Sequence, residues 1–285
     1  VARALASVQY RRVSDVEPIL TLQRGDVAVT VFPDAGARIG QIVVADRALL
    51  IEVPDPADRL PTMWGSFPMA PWAGRIRHGR FRFDGVDHEL AINHHDGPGP
   101  ERAHAIHGVA FDRPWSVDMA STTSCTCSVT LDWEFGGRAT QTIDLFDDRV
   151  DVTLTVESTG ASFPAEIGWH PWFLKPDRLD VSPSAMYERD EFGLPTGALV
   201  EPSDGPWDDC FLAAGPVVLG YDRTNVAAVT VTSDCDHWVI FDEPATATCV
   251  EPQSGPPDAF NLTTSVTSHV VGPGASLTRR MSIAW

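Results

Sequence analysis

The chain has 285 residues and carries 21 Lys+Arg against 39 Asp+Glu, a net charge of −18, with 43% apolar residues. That balance excludes the basic footprint that nucleic acid demands and argues equally against docking on an anionic membrane surface. Lys175 is the sole lysine beside 20 arginines, so Schiff-base chemistry has one candidate amine and a phosphate loop, which needs Gly-Lys-Ser/Thr, has none.

In chain order, the start Val1-Ala2-Arg3-Ala4-Leu5 is too short, and too soon interrupted by Arg11 and Arg12, to read as a signal peptide. Val27–Phe32 is a β-branched run, and Phe81-Arg82-Phe83 alternates into Asp84-Gly85, a hairpin turn signal. Cys127–Phe135 leads into Gly136-Gly137, and Thr140–Phe146 and Val150–Val156 alternate on either side of Asp147-Asp148. Further strands are expected at Ala227–Val231, His237–Phe241 and Leu277–Trp285. The 22 Gly and 23 Pro fall between these pieces, and no window shows a helical stripe. Many short strands separated by turn signals predict an all-β antiparallel sandwich, with residues 1–285 forming a single domain. The cysteines Cys125, Cys127, Cys210, Cys235 and Cys249 are odd in number and lack a C-x-x-C pair. They fit reduced thiols in a cytoplasm.

Four stretches set an ionisable residue among aromatics and prolines, in what read as loops: Pro71–Arg77, Ala105–Gly108, Gly168–Phe173 and Val250–Asn261. His170, walled by Trp169 and Pro171-Trp172-Phe173, is either a proton-transfer group or a core imidazole satisfied by backbone. Glu251 precedes Pro252, which is expected to end the ladder there. It is a hydrogen-bonded base at a strand end or a solvated rim acid. Arg75 and Arg77 point the same way in an extended segment, so they form either a guanidinium fork for hydroxyls or phosphate, or a solvated face. Arg80 and Arg82 repeat that spacing, and Trp72 and Gly74 favour a pocket at Arg75. His94, His95, His104 and His107 invite a metal reading, but no second ligand pair follows His104-x-x-His107, and Asp96-Gly97-Pro98-Gly99-Pro100 reads as a floppy loop. No metal is expected. A serine triad lacks its G-x-S-x-G elbow.

Taken in order, Gly74-Arg75, His107-Gly108, His170-Pro171-Trp172-Phe173, Asp208-Asp209-Cys210-Phe211 and Glu251-Pro252 resemble the aldose 1-epimerase (galactose mutarotase) family. The resemblance spans residues 71 to 261. It implies a large antiparallel β-sandwich, the galactose mutarotase-like supersandwich, and cofactor-free interconversion of the α and β anomers of a free hexose. Carried over, Glu251 is the general base on the anomeric hydroxyl, His170 the general acid on the ring oxygen and His107 its helper. Arg75 and Asp208 bind sugar hydroxyls. A small-molecule sugar is the only partner implied. Opening a hemiacetal independently needs a proton removed from O1 and another delivered to O5, which calls for a carboxylate and an imidazole poised on opposite oxygens. The sequence departs from the family at Gly74, where Asn is usual, at Gly108-Val109 in place of Gly-Gly, and at His104 in place of Asn. These changes are expected at the pocket rim. Two alternatives stay open: a sugar 6-phosphate mutarotase using Arg75 with Arg77, and a non-catalytic carbohydrate-binding sandwich.

Overall fold

Alternate burial runs along the strands. In Arg149–Glu157, Val150, Val152, Leu154 and Val156 are buried while Asp151, Thr153 and Thr155 are part-exposed, the pattern of a sheet with one face on a core. The structure, a computed structural model, describes residues 19–53, 55, 58–222, 224–262 and 268–285. The chain start discussed above, with Arg11 and Arg12, lies outside the described residues. Among the described residues there is no α-helix, only short 3-10 turns such as Pro33–Ala35 and Pro100–Arg102.

The larger sheet has 11 strands, all pairs antiparallel. Its order is Leu20–Arg24, Val27–Phe32, Arg38–Val44, Ser66–Met69, Gly168–Leu174, Ala247–Gln253, His237–Phe241, Asp208–Leu212, Ala185–Arg189 and Pro195–Val200, with Arg47–Ala48 beside Arg38–Val44. The second sheet has 8 strands, ordered Ser116–Ala120, Ser124–Thr130, Arg138–Leu145, Arg149–Glu157, Ser276–Ala284, Ala228–Ser233, Val217–Gly220 and Arg178–Asp180. Val29, Ile39, Trp169, Phe173, Trp238, Ile240 and Val250 of the first sheet join Cys127, Ile143, Val152, Leu154, Met281 and Ile283 of the second in one apolar core. The antiparallel β-sandwich expected from the sequence is the fold found.

Strand parity then decides what the outer face of the large sheet displays. Trp169, Phe173 and Val250 point into the core, so His170, Trp172, Cys249, Glu251 and Gln253 must point away from it. Trp169 is also tied across the sandwich, its indole N–H donating to Gln141 Oε1 at 3.0 Å, while Gln141 Nε2 donates to the Ala37 carbonyl at 2.7 Å.

Local expectations fare unevenly. The hairpin at Asp84-Gly85 is present between Arg80–Phe83 and Val86–Glu89, with φ of 48° and 78° at the two turn residues, as the tight primed turn requires. Arg80 and Arg82 make exposed ion pairs with Glu89 and Asp87, the solvated-face outcome for that pair. The strand expected over Cys127–Phe135 is displaced to Ser124–Thr130. Trp133 lies in the turn that follows, its indole N–H donating to the Gly136 carbonyl at 2.6 Å and its ring edge-on to Phe163, 5.3 Å between centroids.

Candidate active site

Two central strands of the large sheet supply the floor of a pocket. Gly168 pairs with Gln253 and Trp172 with Cys249, a register that sets His170 across from Glu251. His170 Nε2 lies 3.2 Å from Glu251 Oε1, and Gln253 Nε2 donates to Glu251 Oε2 at 3.2 Å. The imidazole is sandwiched between Phe67, 4.8 Å away at 22°, and Trp172, 5.3 Å away at 16°. Trp172 is anchored by its indole N–H to the Thr62 carbonyl at 2.8 Å. Phe67 is backed by the buried Arg38 guanidinium, 5.1 Å from its ring, and Arg38 itself donates to the Ala35, Trp64, Pro61 and Phe111 carbonyls. His170 is therefore held in one orientation by layers of packed rings.

A separate three-stranded sheet, Arg75–Arg77, Ala103–Ile106 and His94–His95, forms the wall. It ends at His107, whose ring stands edge-on to His170 at 5.0 Å and 88°. His107 has φ of 60° and its N–H donates to the Gly74 carbonyl at 2.9 Å. Gly108 follows with φ of 80°, and a Cβ there would stand 1.9 Å from the Ala70 carbonyl oxygen, so only glycine lets the chain turn the imidazole inward. Gly74 has φ of 61°, a conformation open to Asn as well as Gly. A Cβ here would sit 2.8 Å from Pro257 Cβ, which explains the departure from Asn.

Arg75 is gripped by Asp96, with Nε donating to Oδ2 at 2.6 Å and Nη2 to Oδ1 at 3.1 Å. His94 Nε2 hydrogen-bonds the same Oδ1. Among the described residues no protein group accepts from Arg75 Nη1, the edge left for a ligand. Asp208, at the start of Asp208–Leu212, completes the far wall. The open-mouthed cavity is about 350 Å³ and is lined by Arg75, His107, His170, Asp208 and Glu251, together with His94, Asp96, Glu243, Gln253 and Trp172. That volume belongs to the small-ligand range.

The electrostatics follow from burial. His170 is pushed down to about 3, first by desolvation and then by the Arg38 and Arg75 charges. His107 is lowered well below its usual range by burial, His170 and Arg75. Glu251 moves the other way, raised well above the carboxylate range by burial and then by Asp208, with Arg75 and Gln253 opposing. Burial also raises Asp208, against Arg75 and Arg189. Burial would raise Asp96 too, but the hydrogen bonds from His94 and Arg75 and their charges outweigh it and hold that carboxyl low. A basic carboxylate, a poorly hydrated imidazole and a fixed guanidinium thus share one small cavity.

All five residues singled out from the sequence meet here, but several expectations about their setting are corrected. Glu251 and His170 are not loop residues. Gly168–Leu174 and Ala247–Gln253 are strands inside the large sheet, and the ladder runs through Pro252, which pairs with Trp238. Glu251 is 3% exposed, so it is no rim acid. The Asp96–Pro100 segment is anchored at its first residue. The Asp96 N–H donates to the Arg102 carbonyl at 2.9 Å, and its carboxylate is the clamp on Arg75 that the sequence reading missed. The available signal was an acid two residues from His94 in a segment that must return to pair with Arg75–Arg77. His104 does not stand at the rim. It is fully buried behind Asp96, its Nδ1 accepting from the His78 N–H at 3.3 Å. Arg77 is turned away from the cavity and engaged by Asp190 at 2.7 Å and Asp258 at 3.5 Å.

The family model for aldose 1-epimerase matches residues 18–284. The chain belongs to the aldose 1-epimerase family. Among curated relatives it is similar to two uncharacterized Escherichia coli K12 proteins. YihR is 24% identical over 159 residues, 54% of this chain and 49% of YihR; YphB is 28% identical over 180 residues, 61% of this chain and 59% of YphB. The matched stretches thus span about half to three-fifths of these relatives' lengths. Among solved structures, an Escherichia coli K12 protein provisionally described as an aldose 1-epimerase superposes with a TM-score of 0.81 at 22% identity, over 94% of this chain and 99% of its own. That likeness places the fold in the galactose mutarotase-like class. Among the described residues no helix is long and apolar enough to cross a membrane.

Proposed function

We propose that the chain is a cofactor-free mutarotase that interconverts the α and β anomers of a free aldohexose. The observation that carries this reading is the contact between His170 Nε2 and Glu251 Oε1, 3.2 Å, on the floor of a hexose-sized cavity. In a pyranose the anomeric oxygen O1 and the ring oxygen O5 are bonded to the same carbon. An acid and a base that serve them must therefore be neighbours.

The pair works with one proton. With Glu251 as carboxylate and His170 protonated, Glu251 removes the O1 proton while His170 delivers its proton to O5. The C1–O5 bond breaks and the aldehyde forms. Burial disfavours charge on both groups, so the charged pair is a minor, reactive form that relaxes to the neutral pair as the ring opens. Rotation about C1–C2 and reversal of the steps give the other anomer. His107, edge-on to His170, restricts its ring. Arg75, oriented by Asp96, and Asp208 hold ring hydroxyls. No cofactor enters the scheme, and the five buried free thiols accord with a reducing, cytoplasmic setting.

The 6-phosphate reading is disfavoured by two observations. Arg77, the second cation it needs, is committed to Asp190 and Asp258. The cavity lining carries Asp96, Asp208, Glu243 and Glu251 against Arg75, which repels a phosphate dianion. The test is polarimetry of freshly dissolved α-glucose and α-galactose with and without the protein. Faster relaxation to the equilibrium rotation is expected. Unchanged relaxation with every free aldose, alongside measurable sugar binding, would leave a non-catalytic sandwich.

A further inference from the structure

We propose that the same pocket floor is a binding site for a soft divalent cation of the zinc class, held by His170, Cys249 and Glu251, and that this cation inhibits the enzyme. The ligating atoms of the three residues, one from each, lie within 4.8 Å of one another. The residues are 6%, 0% and 3% exposed, respectively. The arrangement is a product of strand parity. Cys249 and Glu251 are two apart on one strand and so share a face, and the neighbouring strand sets His170 opposite them.

Zinc binds sulfur at about 2.3 Å and nitrogen or oxygen at about 2.0–2.2 Å, which puts tetrahedral ligand atoms about 3.3–3.8 Å apart. The His170–Glu251 separation of 3.2 Å is already near that edge. The third corner falls to the Cys249 side chain, whose Sγ lies within 4.8 Å of the other two ligand atoms. His170 and Glu251 face the cavity whereas Cys249 closes the back, among Phe67, Trp172 and Ala247. Three protein ligands with a fourth position open to the pocket is a common zinc arrangement. A thiolate and a carboxylate neutralise a dication, so the complex carries no net charge into this buried site. Thiolate and imidazole favour zinc-like ions over magnesium or calcium.

Cys249 has no part in ring opening, so the site is not needed for turnover. Its occupation would consume the lone pairs of His170 Nε2 and Glu251 Oε1 that move the protons. The inhibition rests on the mutarotase reading; the ligation does not.

Two measurements separate them. The full chain, freed of metal with a chelator, is titrated with Co²⁺ and the thiolate-to-cobalt charge-transfer absorption is followed, with Zn²⁺ as displacer. Polarimetry is then run with and without Zn²⁺. The expected result is one Co²⁺ per chain with a thiolate band. That band is lost in Cys249→Ala and in the bulkier Cys249→Val, both of which keep the other four thiols. The variants should turn over sugar as the parent does but need about 10–100-fold more Zn²⁺ for equal inhibition. Absence of the band in the parent chain, its persistence in both variants, or equal Zn²⁺ sensitivity of parent and variants would overturn the proposal. If no aldose is mutarotated, the functional reading has failed and the cobalt spectrum alone decides the site.

Discussion

Replacing Glu251 by Gln tests the chemistry with little disturbance of the fold. The carboxylate has two partners, His170 Nε2 at 3.2 Å and Gln253 Nε2 at 3.2 Å. An amide fits both, its N–H₂ donating to the neutral imidazole and its oxygen accepting from Gln253. No buried partner is left unsatisfied, so stability and sugar affinity should change little. The amide cannot take the O1 proton. Loss of one positioned base costs about 10²–10⁴-fold in kcat, or about 2.7–5.4 kcal/mol of barrier at about 1.36 kcal/mol per decade. Polarimetric kcat and KM, with sugar affinity from calorimetry, check both halves. Near-parental turnover, or a defect confined to binding, would make Glu251 a hydroxyl ligand and Asp208 the next candidate base.

Asp96→Asn should free the Arg75 fork. Losing charged hydrogen bonds worth about 1.5–3 kcal/mol should raise KM by about 10–100-fold and lower kcat far less, as steady-state polarimetry would show. Gly108→Ala should destabilise the protein by more than about 3 kcal/mol in urea unfolding, because its Cβ would meet the Ala70 carbonyl oxygen at 1.9 Å with φ of 80°. Glu166 is 1% exposed, neither carboxyl oxygen has a partner among the described residues, and burial raises its pKa well above the usual range. The folded protein thus keeps a proton that the unfolded chain releases above about pH 4.3, and stability from this group falls as pH rises. Glu166→Gln should match the parent in thermal melts near pH 4. Above that it should gain up to about 1.4 kcal/mol per pH unit, until the folded carboxyl itself ionises. Exhaustive chelation should not lower polarimetric turnover, since ring opening by His170 and Glu251 requires no Lewis acid.

The sequence alone determined the material of the fold. Alternation in Val27–Phe32 and Val150–Val156, the Asp84-Gly85 turn and evenly spread Gly and Pro leave an antiparallel sandwich as the way to bury one face of each strand. It also supplied the acid, the base and the arginine as residue types in a recognisable order. It could not show that His170 and Glu251 lie on central strands. Gly168–Leu174 and Ala247–Gln253 are buried on both faces, which erases the alternation that marks a strand, and their prolines look like strand ends. Only tertiary structure decided that two strands remote in sequence pair in the register that brings His170 Nε2 to Glu251 Oε1. It likewise decided that Asp96 would take Arg75 and leave Arg77 to Asp190 and Asp258. Such partnerships depend on which loops the sheets bring together, and on the low dielectric their packing creates. Neither is encoded in the spacing of residues along the chain.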